Sequence, residues 1–169
     1  MLVVLVGLPG SGKTTLSSWL AQHAGIVVAS RDAIRAAMFP QCLYTDMEKH
    51  AAYAGMKQAV SIMLSQGMSV CTDGITFSDQ RQRQEMLEIA DSVGAIGVVV
   101  HCACPIWLAQ DRILRDTVTV FPDRTADLVR KVADRFDPIP PEAFQLDMTK
   151  SVKELGASLV EHLEQEMNR

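Results

Sequence analysis

Residues 7–14 form the densest cluster of chemistry-bearing groups in the chain. They read Gly-Leu-Pro-Gly-Ser-Gly-Lys-Thr, which fits the phosphate-binding spacing G-x-x-x-x-G-K-[ST]. Glycines in such a loop let successive backbone N–H groups face an anion at a helix N-terminus. Lys13 is expected to reach the β- and γ-phosphates of a nucleotide, and the Thr14 hydroxyl to bind Mg²⁺. The predicted nucleotide-binding residues are Gly7, Pro9, Gly10, Ser11, Gly12, Lys13, Thr14 and Thr15.

The sequence around this loop favours phosphate binding over a glycine-rich turn that binds nothing. The apolar, strand-like run Leu2–Val6 precedes the loop, and the helix-compatible segment Leu16–His23 follows it. A phosphate-binding loop requires this succession of strand, loop and helix. The motif is therefore interpreted as a nucleotide site.

A second group of polar residues, Asp32 and Arg35, follows the apolar run 25–30 and is spaced to share one helix face. Ligands of an open parallel sheet bind outside the carboxyl ends of its strands, where both residues are expected to lie. Asp32 could accept a proton from an attacking hydroxyl, and Arg35 could hold an acceptor phosphate or steady the transferring group. The alternative is structural, with Asp32 capping a short helix and Arg35 as its solvated partner.

Two further groups of charged residues follow later strand-like runs. Asp73 could hold a water on Mg²⁺ or support the phosphate-binding loop, or it could simply belong to a turn. Arg112 and Arg115 could neutralise charge on a phosphoryl group during its transfer. The alternative for the two arginines is a solvated helix face on which Asp111 and Asp116 are their partners.

Short runs rich in β-branched residues alternate with helical patterns along the chain. Such near-continuous apolar runs are typical of strands buried on both faces, which predicts a parallel sheet between helices. Ser78 is expected to cap one helix, and Ser151 with Glu154 to cap the last. The expected fold class is α/β, a three-layer α/β/α P-loop NTPase fold with a mostly parallel five-stranded sheet and a helical lid. Its predicted strands are Leu2–Val6, Gly25–Ser30, Met68–Thr72, Ile96–Cys102 and Ala143–Asp147.

The length and composition of the chain suit one domain over residues 1–169. Hydrophobic residues make up 48% of the 169 positions, which suffices for a buried core. The segment 116–141 departs from regular patterns, because Phe-Pro-Asp at 121–123 interrupts it and many charges of both signs follow. A lid is therefore expected at approximately 109–141.

Charge and cysteine content limit the kinds of binding partner and the cellular compartment expected for the protein. A net charge of −4 and a pI near 5.5 argue against a surface built for long duplex nucleic acid. These values do not exclude a local basic groove within an acidic protein. The four cysteines form no C-x-x-C pair, so neither a zinc site nor a disulfide framework is expected. The sequence shows no secretory signal and no apolar run of bilayer length, which predicts a cytoplasmic protein without membrane attachment.

The ordered set of these segments resembles the P-loop kinases of the polynucleotide-kinase-like group, small AAA-type ATPases related to zeta-type toxins and chloramphenicol phosphotransferases. The resemblance covers nearly the whole chain, in the segments GLPGSGKTT, SRDAIRAAMF, LSQG, VCTDGITFSDQRQR, HCACPIWLAQDRILR and RFDPIPPEAFQLD. It implies Lys13 and Thr14 for phosphates and Mg²⁺, Asp32 as general base, Arg35 as ligand of an acceptor phosphate, Asp73 as a site acid, and Arg112 or Arg115 as the lid arginine.

The resemblance implies a kinase that uses ATP and Mg²⁺ and moves the γ-phosphoryl group to a hydroxyl. A nucleic-acid 5′-hydroxyl, such as a single-stranded end, is the first expectation for the acceptor. A nucleoside, sugar or antibiotic hydroxyl is the alternative, including an activated sugar as in toxin-like relatives. A non-catalytic protein that binds partners in response to ATP is a rival from another class.

Two departures bear on the acceptor. Phage-type polynucleotide kinase spaces its two lid arginines four apart, where this chain has three, and has a Thr-Asn pair where this chain reads Gly74-Ile75. Both departures weaken the case for a polynucleotide. The sequence does not determine the oligomeric state.

Overall fold

A single five-stranded sheet forms the centre of the molecule. The structure, a computed structural model, describes residues 1–116 and 124–168. All the strand pairs are parallel within these residues, and the spatial order is β2-β3-β1-β4-β5. The strands are β1 Leu2–Val6, β2 Val27–Ser30, β3 Val70–Asp73, β4 Gly97–Ala103 and β5 Phe144–Asp147.

Helices cover both faces of this sheet. Because side chains alternate across a strand, the fully buried β1 divides its residues between two cores. Val3 packs in a cluster with Leu159 on one face, whereas Val4 packs in a cluster with Met86 on the other. Among residues 1–116 and 124–168, no helix is both long and apolar enough to cross a membrane. The helices are α1 Lys13–His23, α2 Arg31–Met38, α3 Asp46–Ser65, α4 Gln80–Ser92, α5 Ile106–Arg115, α6 Ala126–Ala133 and α7 Val152–Met167.

The predicted three-layer α/β/α class and its five strands are confirmed, with strand ends that shift by at most two residues. The capping box that Ser151 and Glu154 form at α7 is confirmed as well. The prediction that Ser78 caps α4 is wrong, because the carboxylate of Asp79 accepts the Arg81 backbone N–H at 2.8 Å. Both residue types favour this position, so composition alone does not choose between neighbours.

The region predicted as a lid, at approximately 109–141, contains most of α5 and all of α6. Its centre, with the Phe-Pro-Asp interruption at 121–123, lies outside the described residues. Ala109 and Ile113 of α5 pack with Val129 of α6 and with Leu8 of the phosphate-binding loop. This small apolar cluster holds α6 close to the loop, and the movement expected of a lid stays a prediction.

Candidate active site

The phosphate-binding loop joins β1 to α1 at the point where the strand order reverses, since β1 lies between β3 and β4. Gly10 and Gly12 have φ angles of +76° and +101°, a region that strongly favours glycine. A Cβ on Gly10 would overlap the carbonyl oxygen of Ala109, so the loop also needs glycine for its close contact with α5. The first N–H groups of α1 carry no side-chain cap within the described residues, which suits an anion site.

Lys13 is buried at the start of α1 and folds back on this loop. Its Nζ donates hydrogen bonds to the carbonyl oxygens of Gly7 and Leu8, each at 2.8 Å. Burial lowers the pKa of Lys13 to about 8, and the nearby Asp73 carboxylate partly opposes the effect. Charged phosphate oxygens would solvate the ammonium group better than two neutral carbonyls do. The position of Lys13 therefore suits the phosphates expected from the motif.

Thr14 and Asp73 bring an hydroxyl and a carboxylate together beside the loop. The Thr14 Oγ1 donates a hydrogen bond of 3.0 Å to Asp73 Oδ1, which joins α1 to the end of β3. In the described part of the chain no group of three or more His, Cys, Asp or Glu residues could hold a metal on its own. Mg²⁺ usually takes one or two protein oxygens and completes its shell with phosphates and water. Thr14 and Asp73 fit that ligand set.

Asp32 and Arg35 meet at the start of α2. Arg35 is only 4% exposed, its guanidinium lies over the Tyr44 ring at 4.5 Å, and its Nη2 lies 3.0 Å from Asp32 Oδ1. The cap of α2 is Ser30, whose Oγ accepts the Ala33 N–H. The structural alternative is therefore right in that Asp32 is an acid in the first turn of α2, and wrong in the expectation that Asp32 supplies the cap and that Arg35 is solvated. The buried arginine instead fixes the Asp32 carboxylate toward the cleft.

The two arginines predicted on α5 lie in different places. Arg112 lines the cleft, and its guanidinium donates to the carbonyl oxygens of Ser11 at 2.9 Å and Met148 at 2.8 Å. The side chain of Arg115 is 79% exposed, pairs with Asp111 at 2.9 Å, and lies outside the residues that line the cleft. The structure thus separates the pair that the three-residue spacing suggested. For Arg115, the alternative of a solvated helix face describes what is seen.

One cleft of about 940 Å³ unites the loop, Asp32, Arg35, Asp73 and Arg112. Its lining includes eight cationic side chains and three carboxylates, although the chain as a whole has a net charge of −4. Sequence reasoning assigned no role to five of these cations, because they come from separate elements and no local pattern shows which side chains turn toward one cleft. The cations that line the cleft are Lys13, Arg31, Arg35, Lys49, Arg112, Arg124, Arg135 and Lys150, and the acids are Asp32, Asp73 and Asp116.

The parallel sheet, the loop and the charged cleft together define a P-loop α/β protein. A family model described as an AAA domain matches residues 2–136, so the chain belongs to the AAA domain family. A search of curated proteins gave no significant match.

Solved structures of several kinases share this fold. A sugar kinase from Janibacter sp. HTCC2649 has a TM-score of 0.70 at 20% identity, over 96% of this chain and 94% of that one. APS kinase from Mycobacterium tuberculosis, in complex with AMPPNP and APS, has a TM-score of 0.71 at 17% identity, over 96% of both chains. A gluconokinase from Sinorhizobium meliloti 1021 has a TM-score of 0.67 at 16% identity, over 97% of this chain and 95% of that one. At these identities the likeness shows the fold.

Proposed function

We propose that this protein is a kinase that transfers the γ-phosphoryl group of ATP, with Mg²⁺, to a hydroxyl of a small, negatively charged molecule. The observation that carries the proposal is the meeting of a phosphate-binding loop with Asp32 and Arg35 in one cleft. Three structures of similar fold are kinases named for small molecules, which supports this class of acceptor. The earlier expectation of a nucleic-acid 5′-hydroxyl has no such support.

Asp32 is the group proposed to act as general base. The acceptor oxygen forms a bond to the γ-phosphorus, the bond from that phosphorus to the leaving oxygen of ADP breaks, and the hydroxyl proton passes to the Asp32 carboxylate. Lys13 stabilises negative charge on the phosphates throughout. Thr14, with Asp73 through a water, would hold Mg²⁺, and the bound ion would neutralise phosphate charge. Positioning and electrostatics therefore supply most of the rate.

The charge of the cleft indicates an anionic acceptor. On the wall formed by α2 and α3, three cations, Arg31, Arg35 and Lys49, line the cleft with Asp32 as the one acid. The whole lining carries five more positive than negative charges, which is more than a magnesium-bound triphosphate neutralises. A phosphate, sulfate or carboxylate on the acceptor would complement this wall.

The make-up of the lining also favours a small acceptor over a nucleic-acid strand. Proteins that hold single strands stack successive bases on aromatic side chains. None of the described residues that line the cleft is aromatic. A volume of about 940 Å³ is in the range of small-molecule sites.

An acceptor panel with γ-labelled ATP tests the proposal. The protein is incubated with Mg²⁺ and sugar acids, sugar phosphates, nucleotides, neutral sugars, nucleosides or 5′-hydroxyl oligonucleotides, and products are separated by chromatography. Label is expected in an anionic small molecule, and Lys13→Ala is expected to abolish it. Label confined to oligonucleotides would return the acceptor to nucleic acid, and ATP binding without any labelled product would favour a binding protein.

A further inference from the structure

Of the two arginines that the sequence offers for the transferring phosphoryl group, Arg112 lines the cleft but is held by backbone carbonyls, and Arg115 lies outside the cleft lining. The guanidinium of Arg112 donates to two carbonyl oxygens, those of Ser11 and Met148, and so joins the phosphate-binding loop to the segment after β5. The Arg115 side chain is in solvent beside Asp111. A third arginine, Arg124, also lines the cleft.

Arg124 lies on the wall of the cleft that α6 forms. It stands two residues before α6 begins, and it lines the cleft together with Leu128 and Val132 of that helix. The apolar cluster under α6 includes Leu8 of the phosphate-binding loop, so this wall and the loop form one packed unit. Arg124 and Lys13 line the same cleft, so a phosphate held by Lys13 lies in a space that Arg124 borders. The pKa of Lys13 is lowered chiefly by burial, and the Arg124 charge adds to that effect.

The contact that Arg124 makes in the structure is one that a phosphate can replace. Its Nη1 lies 3.5 Å from Asp116 Oδ2, and the two side chains are 29% and 26% exposed. An ion pair of this length and exposure contributes little to stability. A phosphate group offers more charge and more acceptor oxygens to a guanidinium than one carboxylate does. The Arg124 side chain therefore loses little when it leaves the Asp116 carboxylate and binds a phosphate instead.

We infer that Arg124 is a catalytic residue that donates hydrogen bonds to the terminal phosphate of ATP in this cleft. The inference rests on the proposed kinase function and adds to it the residue that takes the place expected for Arg112 or Arg115. Arg124 gives and takes no proton, because the acceptor proton passes to Asp32. Its N–H groups stabilise the charge on the phosphoryl oxygens while the bond to ADP breaks and the bond to the acceptor forms.

Calorimetry with Mg·ATP and Mg·ADP tests this contact without knowledge of the acceptor. Arg124→Ala is expected to lose about tenfold or more in affinity for ATP, since a charged hydrogen bond is removed, while its affinity for ADP stays within about twofold. Arg130→Ala is the matched control, because Arg130 is an exposed arginine of the adjoining helix α6 and lies outside the cleft lining. It is expected to bind both nucleotides as the wild type does.

Further variants separate the inference from its rivals. Arg115→Ala and Arg135→Ala are measured in the same way, and thermal unfolding establishes that each variant is folded. The assignment would be overturned if Arg115→Ala or Arg135→Ala lost affinity for ATP but not for ADP while Arg124→Ala bound both nucleotides as the wild type does. The proposed function would then still stand. A wild-type protein that binds neither nucleotide would contradict the proposed function itself.

Discussion

At the scale of single residues, Glu48 fixes the loop that presents Tyr44 to Arg35. The Glu48 carboxylate accepts backbone N–H groups from Leu43 at 3.0 Å and from Thr45 at 2.8 Å. Between these two residues lies Tyr44, with a φ of +58° and its ring against the Arg35 guanidinium. A series of contacts therefore joins Glu48 through Tyr44 and Arg35 to the Asp32 carboxylate.

Glu48→Gln is expected to lower stability in a way that depends on pH. The backbone N–H of Leu43, with that of Thr45, holds the pKa of Glu48 below its ordinary value. A lowered pKa in the folded state stabilises the fold above the unfolded pKa of about 4.3, and the contribution is lost as pH falls through the lowered value. Urea unfolding should therefore show a clear difference between wild type and variant at pH 7 that narrows below about pH 4.

The control for this prediction is Glu161→Gln, which changes an exposed glutamate of α7. It is expected to leave the free energy of unfolding nearly unchanged at both pH values. A Glu48→Gln deficit that was the same at pH 7 and at low pH would contradict the assigned role of the ionised carboxylate.

At the scale of elements, the turns that follow β2 and β3 are pressed together at the edge of the sheet. Ser30 is the register partner of Asp73, so the first turn of α2 lies beside Gly74. A Cβ at Gly74 would lie 2.9 Å from the Asp32 backbone nitrogen and 3.1 Å from its Cγ. Gly74 therefore sets the distance between Asp73, the proposed Mg²⁺ ligand at the end of β3, and the proposed base.

Gly74→Ala is expected to reduce phosphoryl transfer more than its effect on stability explains. Gly74 has a φ of +78°, and Gly67 has the same φ with nothing within 4 Å of an added Cβ. Both alanine variants should lose about 1–2 kcal/mol of stability from backbone strain, and Gly74→Ala should lose more because its methyl group meets Asp32; urea unfolding measures both losses. Only Gly74→Ala should also lose activity, because only there does the methyl group displace Asp32. Equal activity in the two variants would show that this contact does not position the base.

The elements of this fold were largely predictable from the sequence, whereas the arrangement of the site was predictable only in part. Apolar runs locate strands because both faces of a parallel sheet are buried, and β1 is fully buried as expected. The motif at 7–14 is sufficient to predict a loop between a strand and a helix, because its residue types and spacing are typical of that conformation. Arg124 could not be found this way, because no local pattern tells which arginine turns toward a cleft. Arg115 is predicted at the site but lies in solvent, because its helical spacing from Arg112 does not determine where either side chain points.

At the scale of the whole molecule, the cleft concentrates positive charge in an acidic protein. The chain carries 20 acidic and 16 basic residues, yet cations outnumber acids in the lining by eight to three. A cleft of one sign raises the local concentration of oppositely charged ligands. The molecule is therefore suited to attract two anions, a triphosphate and the proposed acceptor, into one space.

Mg·ATP is expected to stabilise the whole fold against heat. A ligand at about 100 times its Kd that binds only the folded state adds about 2.7 kcal/mol, which corresponds to a rise in Tm of roughly 5–10 °C for a domain of this size. Chelation of Mg²⁺ by EDTA should remove much of the rise, and Lys13→Ala nearly all of it. The measurement is differential scanning fluorimetry, and a Tm that ATP does not move would count against a nucleotide site.

The proposed chemistry depends most on Asp32, and Asp32→Asn tests it most directly. The measurement is transfer of the labelled γ-phosphoryl group to the acceptor that the panel identifies, together with calorimetry of Mg·ATP. Loss of a general base is expected to lower kcat by about 10²- to 10⁴-fold, while the affinity for ATP stays close to that of the wild type. An Asp32→Asn protein that transfers phosphate at the wild-type rate would contradict the account.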